Sequence, residues 1–273
     1  MMVPAPSPAP PDVLAAFQGA ITRLSSLRLD LRWYPTVTST MDVAEEAAQA
    51  GASEGLVIVA EEQTHGRGRR GRAWSSPPGA GLYLTFLLRP PRDGPAGATL
   101  SLITLATGVA ARDAIARASG LRAELKWPND VMAGTRKLAG ILAEGLNVGR
   151  LDQTVLIGLG VNILSVTHPG EVAARATSLE SELGARVDRA RVLEELLVAL
   201  PQTYDDLRRG NAGDILRAWR LASPSAEGAI VRWQSLDGPL QGTTAGIDNT
   251  GALLVKTERR LERIVGGELD WVW

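Results

Sequence analysis

Seven consecutive residues, Gly66-Arg67-Gly68-Arg69-Arg70-Gly71-Arg72, carry four guanidinium groups and three glycines. No apolar core can absorb such a run, because buried charge without partners is costly and glycine weakens helix and strand alike. The run leaves a short buried strand at Leu56–Ala60 through Glu61-Glu62-Gln63 and heads toward another at Leu82–Leu88. It must therefore be a loop joining two core strands. Trp74 follows it, and the Gly/Pro/Ser-rich stretch from Ser75 to Gly81 predicts a mobile continuation, with the segment from about Thr64 to Gly81 ordered only when an anion compensates its charges. Guanidinium forks and close-approaching backbone N–H groups suit phosphate. An RNA- or DNA-binding patch and a plain solvated loop remain alternatives on the motif alone.

The rest of the composition narrows the chemistry. Of 273 residues 45% are apolar and 22% charged, enough for one sizeable core and a small second domain. Lys+Arg is 29 against Asp+Glu 30, so no global field draws the chain onto nucleic acid or anionic lipid. Cysteine is absent, which excludes disulfides, thiolate metal sites and cysteine nucleophiles. His65 and His168 alone give poor support to a His-rich metal site or a Ser-His-Asp hydrolase. Thr99–Ala111 is interrupted by polar residues and glycine, so no membrane span is expected. The N-terminus lacks the pattern of a secretory signal, and the expected location is cytoplasmic.

Ser39-Thr40-Met41-Asp42 opens an alanine-rich helix that stops at Gly51. A core helix is predicted from about Thr99 to Ala118, then strands around Glu124–Lys126, Leu138–Glu144 and Thr154–Ile163, then helices at Arg189–Arg208 and Asp214–Leu221. The order lacks a βαβ rhythm and predicts an α+β fold, a central mixed or antiparallel sheet with packed helices. Residues 1–30, with five prolines in the first eleven, are expected to be a disordered or loosely ordered lead, and 31–222 the main domain. Ser223-Pro224-Ser225 is a hinge. Short strands at Ala229–Gln234, Gly242–Ile247, Leu253–Lys256 and Leu261–Val265, with turn signals at Asp237-Gly238 and Asp248–Gly251, predict a small SH3-like β-barrel over 225–273.

Two further clusters bear on chemistry. Lys126-Trp127-Pro128-Asn129-Asp130 places Lys, Asn and Asp on one turn, where Asn can read an adenine edge or support a phosphate and Asp can hold hydrated Mg²⁺; a turn closed by Asx hydrogen bonds is the alternative. Arg136-Lys137-Leu138-Ala139-Gly140-Ile141-Leu142 sets a lysine before an apolar strand interrupted by glycine, a mark of close ligand approach or simply a solubilising edge lysine. Gly158-Leu159-Gly160-Val161-Asn162 does not complete a dinucleotide fingerprint.

In this order and spacing, Ser39-Thr40-Met41, Gln63, Gly66–Arg72, Lys126–Asp130, Lys137–Leu142 and Gly158–Asn162 resemble the motifs of biotin protein ligases, over about Tyr34 to Leu221. The last fifty residues resemble that family's C-terminal domain. The resemblance implies a class II synthetase-like catalytic domain that makes biotinyl-5′-AMP from biotin and ATP with Mg²⁺, then transfers biotin to a lysine of a biotin carboxyl carrier domain. It implies that Ser39, Thr40, Met41 and Gln63 surround the ureido ring, with Arg67, Gly68, Arg69, Lys137 and Gly140 completing the biotin site. It assigns catalysis to Lys137 and Arg69, and ATP binding to Arg69, Arg70, Arg72, Trp74, Lys126, Asn129, Asp130 and Asn162, with Asp130 the candidate metal ligand.

Lipoate–protein ligase is the nearest rival, and the arginine run followed by K-W-P-N-D argues against it. A cysteine-dependent octanoyl transferase is excluded by composition. Some biotin protein ligases carry an N-terminal winged helix, which needs about sixty residues to bury a core. Only 38 residues precede Ser39, so specific DNA binding by that route is not expected. A homodimer through the sheet is left open.

Overall fold

The computed structural model describes residues 4–24, 27–91, 100–150, 152–166, 174–235, 238–267 and 269–272. Its first part is built on a seven-stranded sheet comprising β1 (Asp30–Val37), β2 (Leu56–Gln63), β3 (Gly81–Leu88), β4 (Glu124–Lys126), β5 (Asp130–Ala133), β6 (Arg136–Leu146) and β7 (Thr154–Asn162). The spatial order is β1-β2-β3-β7-β6-β5-β4. β1 and β2 are parallel and the other pairs antiparallel, so the sheet is mixed and the fold α+β, as the element order predicts. β3 and β7, central in the sheet, are buried at every position, which explains their unbroken apolar runs.

The two faces are covered unequally. Val57, Leu84, Phe86, Ile157 and Leu159 pack with the helices α3 (Leu100–Ser119), α5 (Arg189–Arg208) and α6 (Ala212–Ala222). The opposite face carries Ile58, Ala60, Leu87, Leu142 and Leu156 beneath the single helix α2 (Thr40–Gln49). A ten-residue helix covers only part of seven strands, and the site lies beside it. A short α4 (Leu179–Leu183) sits between β7 and α5.

The N-terminal expectation needs correction. Residues 11–21 form a helix, α1 (Pro11–Ile21), with Val13, Ala16 and Ala20 buried in the main core. Pro11 is its first residue, the position where a missing N–H costs nothing. Ser7 N–H donates to Trp33 O at 3.0 Å. β1 was likewise unforeseen: its Pro35 argues against a central strand, yet β1 is an edge strand, where proline is tolerated. Thr99 and Asp237, used in the sequence reading, lie outside the described residues.

The C-terminal segment forms a five-stranded antiparallel sheet of β8 (Glu227–Ser235), β9 (Gly238–Ile247), β10 (Leu253–Lys256), β11 (Leu261–Ile264) and β12 (Asp270–Val272), in the order β11-β10-β9-β8-β12. Trp127 Nε1 donates to Gly251 O at 3.0 Å, joining the two sheets. Among the described residues no helix is long and apolar enough to cross a membrane.

Candidate functional site

The floor of the site is bare backbone. On β6 and β7, Gly140 faces Gly160 and Leu142 faces Gly158. A Cβ on Gly160 would lie 2.4 Å from the Trp74 ring, one on Gly158 2.8 Å from Met41 Sδ, and one on Gly140 2.8 Å from Trp74 and 2.9 Å from Lys137 Cε. Side chains from three directions thus come down onto strand backbone, which only glycine permits. The sequence reading assigned Gly140 to the site and left Gly158 and Gly160 unassigned, although their alternation in an apolar strand was the available signal.

The closed end of the first cavity is neutral and polar. Ser39 caps α2 by accepting from Met41 N–H at 3.3 Å. Gln63 Oε1 accepts from Thr40 N–H at 2.8 Å and from the Thr40 hydroxyl at 3.1 Å, while Gln63 Nε2 donates to Ser76 Oγ at 2.8 Å. Thr85, buried and unforeseen, donates to Thr40 Oγ1 at 2.8 Å. Met41 and Leu142 add apolar wall. Such an end suits an uncharged polar ring, because an ion there would lack a counter-charge.

The arginine run folds into a small hairpin between β2 and β3. Arg67 pairs with Ala73, Gly68 N–H donates to Arg72 O at 2.7 Å, and Trp74 N–H to Gly66 O at 2.8 Å. Its tip, Arg69–Gly71, holds Arg70 at φ 57°. The four arginines are not equivalent. Arg67 is claimed by carboxylates: Asp42 at 2.9 Å and Glu45 at 3.8 Å from α2, and Glu144 at 2.6 Å from β6. Its guanidinium is a latch, and the anion receptor is left to the other three. Arg69 Nη1 donates to Asn129 Oδ1 at 3.2 Å. Burial, then the charge of Arg70, lowers the Arg69 pKa, with Asp130 partly opposing.

Lys137 reaches the same place through a β-bulge. Val131 faces Ala139 but Met132 faces Lys137, so Leu138 is an extra residue in β6. The bulge turns Lys137 onto the side of Gly140, with its Nζ 2.5 Å from Asp130 Oδ1 and 5.3 Å from the Trp74 ring centre. Trp127-Pro128-Asn129 is the turn between β4 and β5, and Asp130 begins β5. Asn129 Nδ2 donates to Ile141 O at 2.7 Å.

A second cavity adjoins the first. Arg69, Arg70, Arg72, Lys126 and Arg175 line it with Trp74 and Trp271. Cations beside two aromatic faces suit a phosphorylated base. Burial lowers the Lys126 pKa, Asp130 opposes this, and Lys137 and Arg175 add to it. Asn162 lines this cavity, and its Nδ2 donates to Thr177 O at 2.9 Å. Arg175 and Trp271 escaped the sequence reading because each is isolated from the motifs. Ser39, Thr40, Met41, Gln63, Arg67, Gly68, Arg69, Lys137 and Gly140 share the first cavity; Arg69, Arg70, Arg72, Trp74, Lys126, Asn129, Asp130 and Asn162 share the second. Among the described residues no group of three His, Asp or Glu side chains could cage a metal. Asp130, one carboxylate in the cavity that Arg69, Arg70, Arg72 and Lys126 line, fits Mg²⁺ held mainly by phosphate oxygens.

The chain is similar to known proteins over most of its length. Residues 33–162 match the biotin/lipoate A/B protein ligase family, and residues 228–270 the biotin protein ligase C-terminal domain. The bifunctional ligase/repressor BirA of Bacillus spizizenii is 34% identical over 242 residues, 88% of this chain and 73% of that protein. The biotin–[acetyl-CoA-carboxylase] ligase of Paracoccus denitrificans is 36% identical over 211 residues, 76% of this chain and 86% of that protein. The biotin protein ligase of Aquifex aeolicus, solved with biotin and ATP, superposes with a TM-score of 0.76 at 29% identity, covering 89% of this chain and 98% of that one.

Proposed function

The chain belongs to the biotin protein ligase family, and on that premise we propose that it is an ATP-dependent ligase forming biotinyl-5′-AMP and then a C–N bond to a carrier lysine. The observation that carries this reading is the meeting of the two cavities at Lys137 and Arg69. In step one the biotin carboxylate attacks the ATP α-phosphorus and pyrophosphate leaves. In step two a lysine amine displaces AMP from the acyl carbon. Neither step needs a protein nucleophile; both need positive charge where phosphate oxygens gain negative charge.

The ureido ring sits at the neutral end with Ser39, Thr40 and Gln63, and the ring system lies beside Met41, Trp74 and Lys137, which Gly158, Gly160 and Gly140 let close onto the strand backbone. The hairpin backbone at Arg67–Arg69 covers the valeryl chain. Lys137 spans the carboxylate and the α-phosphate as a compact charge, Arg69, Arg70 and Arg72 face the phosphates, and Trp74 lies against adenine. Asn129 and Asn162 complete the nucleotide side. Mg²⁺ near Asp130 would shield phosphate charge. A lipoyl ring has no N–H or C=O to offer the polar groups at the closed end, which disfavours lipoate. The acceptor is a biotin carboxyl carrier domain, by likeness to the Paracoccus ligase for acetyl-CoA carboxylase. The protein acts in the cytoplasm, without a membrane. Beyond Ile141, whose N–H and C=O both bond to Asn129, β6 pairs with β7 alone among the described residues, and that edge supports a homodimer through the sheet.

Biotin-dependent exchange of labelled pyrophosphate into ATP tests the reading, with label transfer to a purified carrier domain as its second half. No exchange with Mg²⁺-ATP and biotin would end it.

A further inference from the structure

Bringing biotin, ATP and an acceptor lysine to one carboxyl group requires three approaches, and three cavities meet at Arg69 and Asn129. Two are occupied by the reading above. The third shares Ile141 with the biotin cavity and runs between α3 and the C-terminal sheet. Leu100, Leu105, Ala143 and Val265 give it an apolar side, and Ser101, Thr104, whose hydroxyl donates to Leu100 O at 2.7 Å, and Asn129 give it polar points. Arg69 is the only charged side chain lining it among the described residues. Val265 stands at its rim 60% exposed, an apolar side chain with little reason of its own to face water.

We infer that this third cavity is the channel through which the carrier lysine reaches the adenylate; the inference rests on the ligase reading. A lysine stem of four methylenes lies well along the apolar side. The amine must arrive unprotonated to attack, and the channel favours that form twice over. Removal from bulk water penalises the ammonium, and the Arg69 guanidinium at the inner end, with no lining carboxylate among the described residues to offset it, repels it. An acid there would hold the lysine charged. In the step itself the neutral ε-amine forms the N–C bond to the acyl carbon, and the C–O bond to phosphate breaks. AMP leaves with that electron pair, and the extra proton on nitrogen passes to water. The same arrangement keeps step one, which uses the other two cavities, independent of the channel.

Val265→Trp and Thr104→Leu narrow the channel from the C-terminal sheet and from α3 without touching the other two cavities. Biotin-dependent pyrophosphate exchange, release of adenylate by hydroxylamine, and transfer to an intact carrier domain are measured for each. Exchange and hydroxylamine release should stay at the level of the unaltered protein, while kcat/KM for the carrier falls about tenfold or more. Unchanged carrier transfer in both variants overturns the inference, as does an equal fall in exchange and transfer. Absence of exchange in the unaltered protein would instead overturn the ligase reading on which it stands.

Discussion

Lys137 owes its place to one extra residue. Without the bulge at Leu138, strand alternation would point the lysine away from Gly140. Its ion pair with Asp130 is partly exposed and adds little to stability, whereas a charge held against a reacting phosphate is worth about 2–4 kcal/mol in the transition state. Lys137→Ala should therefore slow single-turnover adenylate formation by roughly 10²–10³-fold with a nearly unchanged melting temperature; equal rates with a lowered melting temperature would make the lysine structural. Arg67 acts differently. Its partners Asp42 and Glu144 stand 25 and 77 positions away, so no local pattern announces that this arginine is a latch and its neighbours are receptors. Arg67→Ala should speed biotin dissociation about tenfold, with Arg67→Lys recovering part of the loss. Stopped-flow release of biotin reads this out, and an unchanged rate in Arg67→Ala would leave the ion pairs a purely structural tie.

At the level of elements, the motif-bearing segments were legible because each is local: the arginine hairpin, the Trp127–Asn129 turn and the glycine-containing strands declare themselves within a few residues. What failed was context. The five prolines hid α1, since a proline that ends a helix elsewhere begins one at Pro11. Pro35 hid β1, and four-residue β5 was too short to show alternation. The helix layer also holds a device no sequence pattern shows. Glu195 of α5, its side chain 1% exposed, binds Arg23 just after α1, Arg117 of α3 and Arg191 of its own helix. Hydrogen bonds from Arg23 and Arg117, against the opposing effect of burial, hold its carboxyl at about 2, below the usual 4.5. A depressed carboxyl pKa stabilises fully above the unfolded value and loses that contribution as pH falls from about 4.5 toward 2. Glu195→Gln should cost about 3 kcal/mol near neutrality, because Arg117 loses its carboxylate partner and Arg23 and Arg191 are left to share Glu194. Thermal melts between neutral and acid pH should show the variant's stability falling less steeply below pH 4.5 than that of the unaltered protein; parallel curves would refute the assignment.

Across the whole molecule, the nucleotide cavity is not the property of one sheet. Gly267, Leu269 and Trp271 come from the C-terminal part, and Lys126 Nζ lies 5.6 Å from the Trp271 ring centre. Trp271→Ala should raise KM for ATP about tenfold, the worth of one base–aromatic contact, and leave KM for biotin alone; if both rise together, Trp271 only fastens the sheets. The two sheets share more than this cavity. Val231, Leu253 and Val255 belong to the same continuous apolar core as Leu105 and Trp127. A shared core makes the two parts one cooperative unit. Calorimetry should record a single heat-absorption peak whose measured enthalpy equals the van't Hoff enthalpy, and Val255→Ala, remote from both ligands, should move that whole peak to lower temperature. The fifty-residue appendage then sets the upper temperature at which the chain can do chemistry at all.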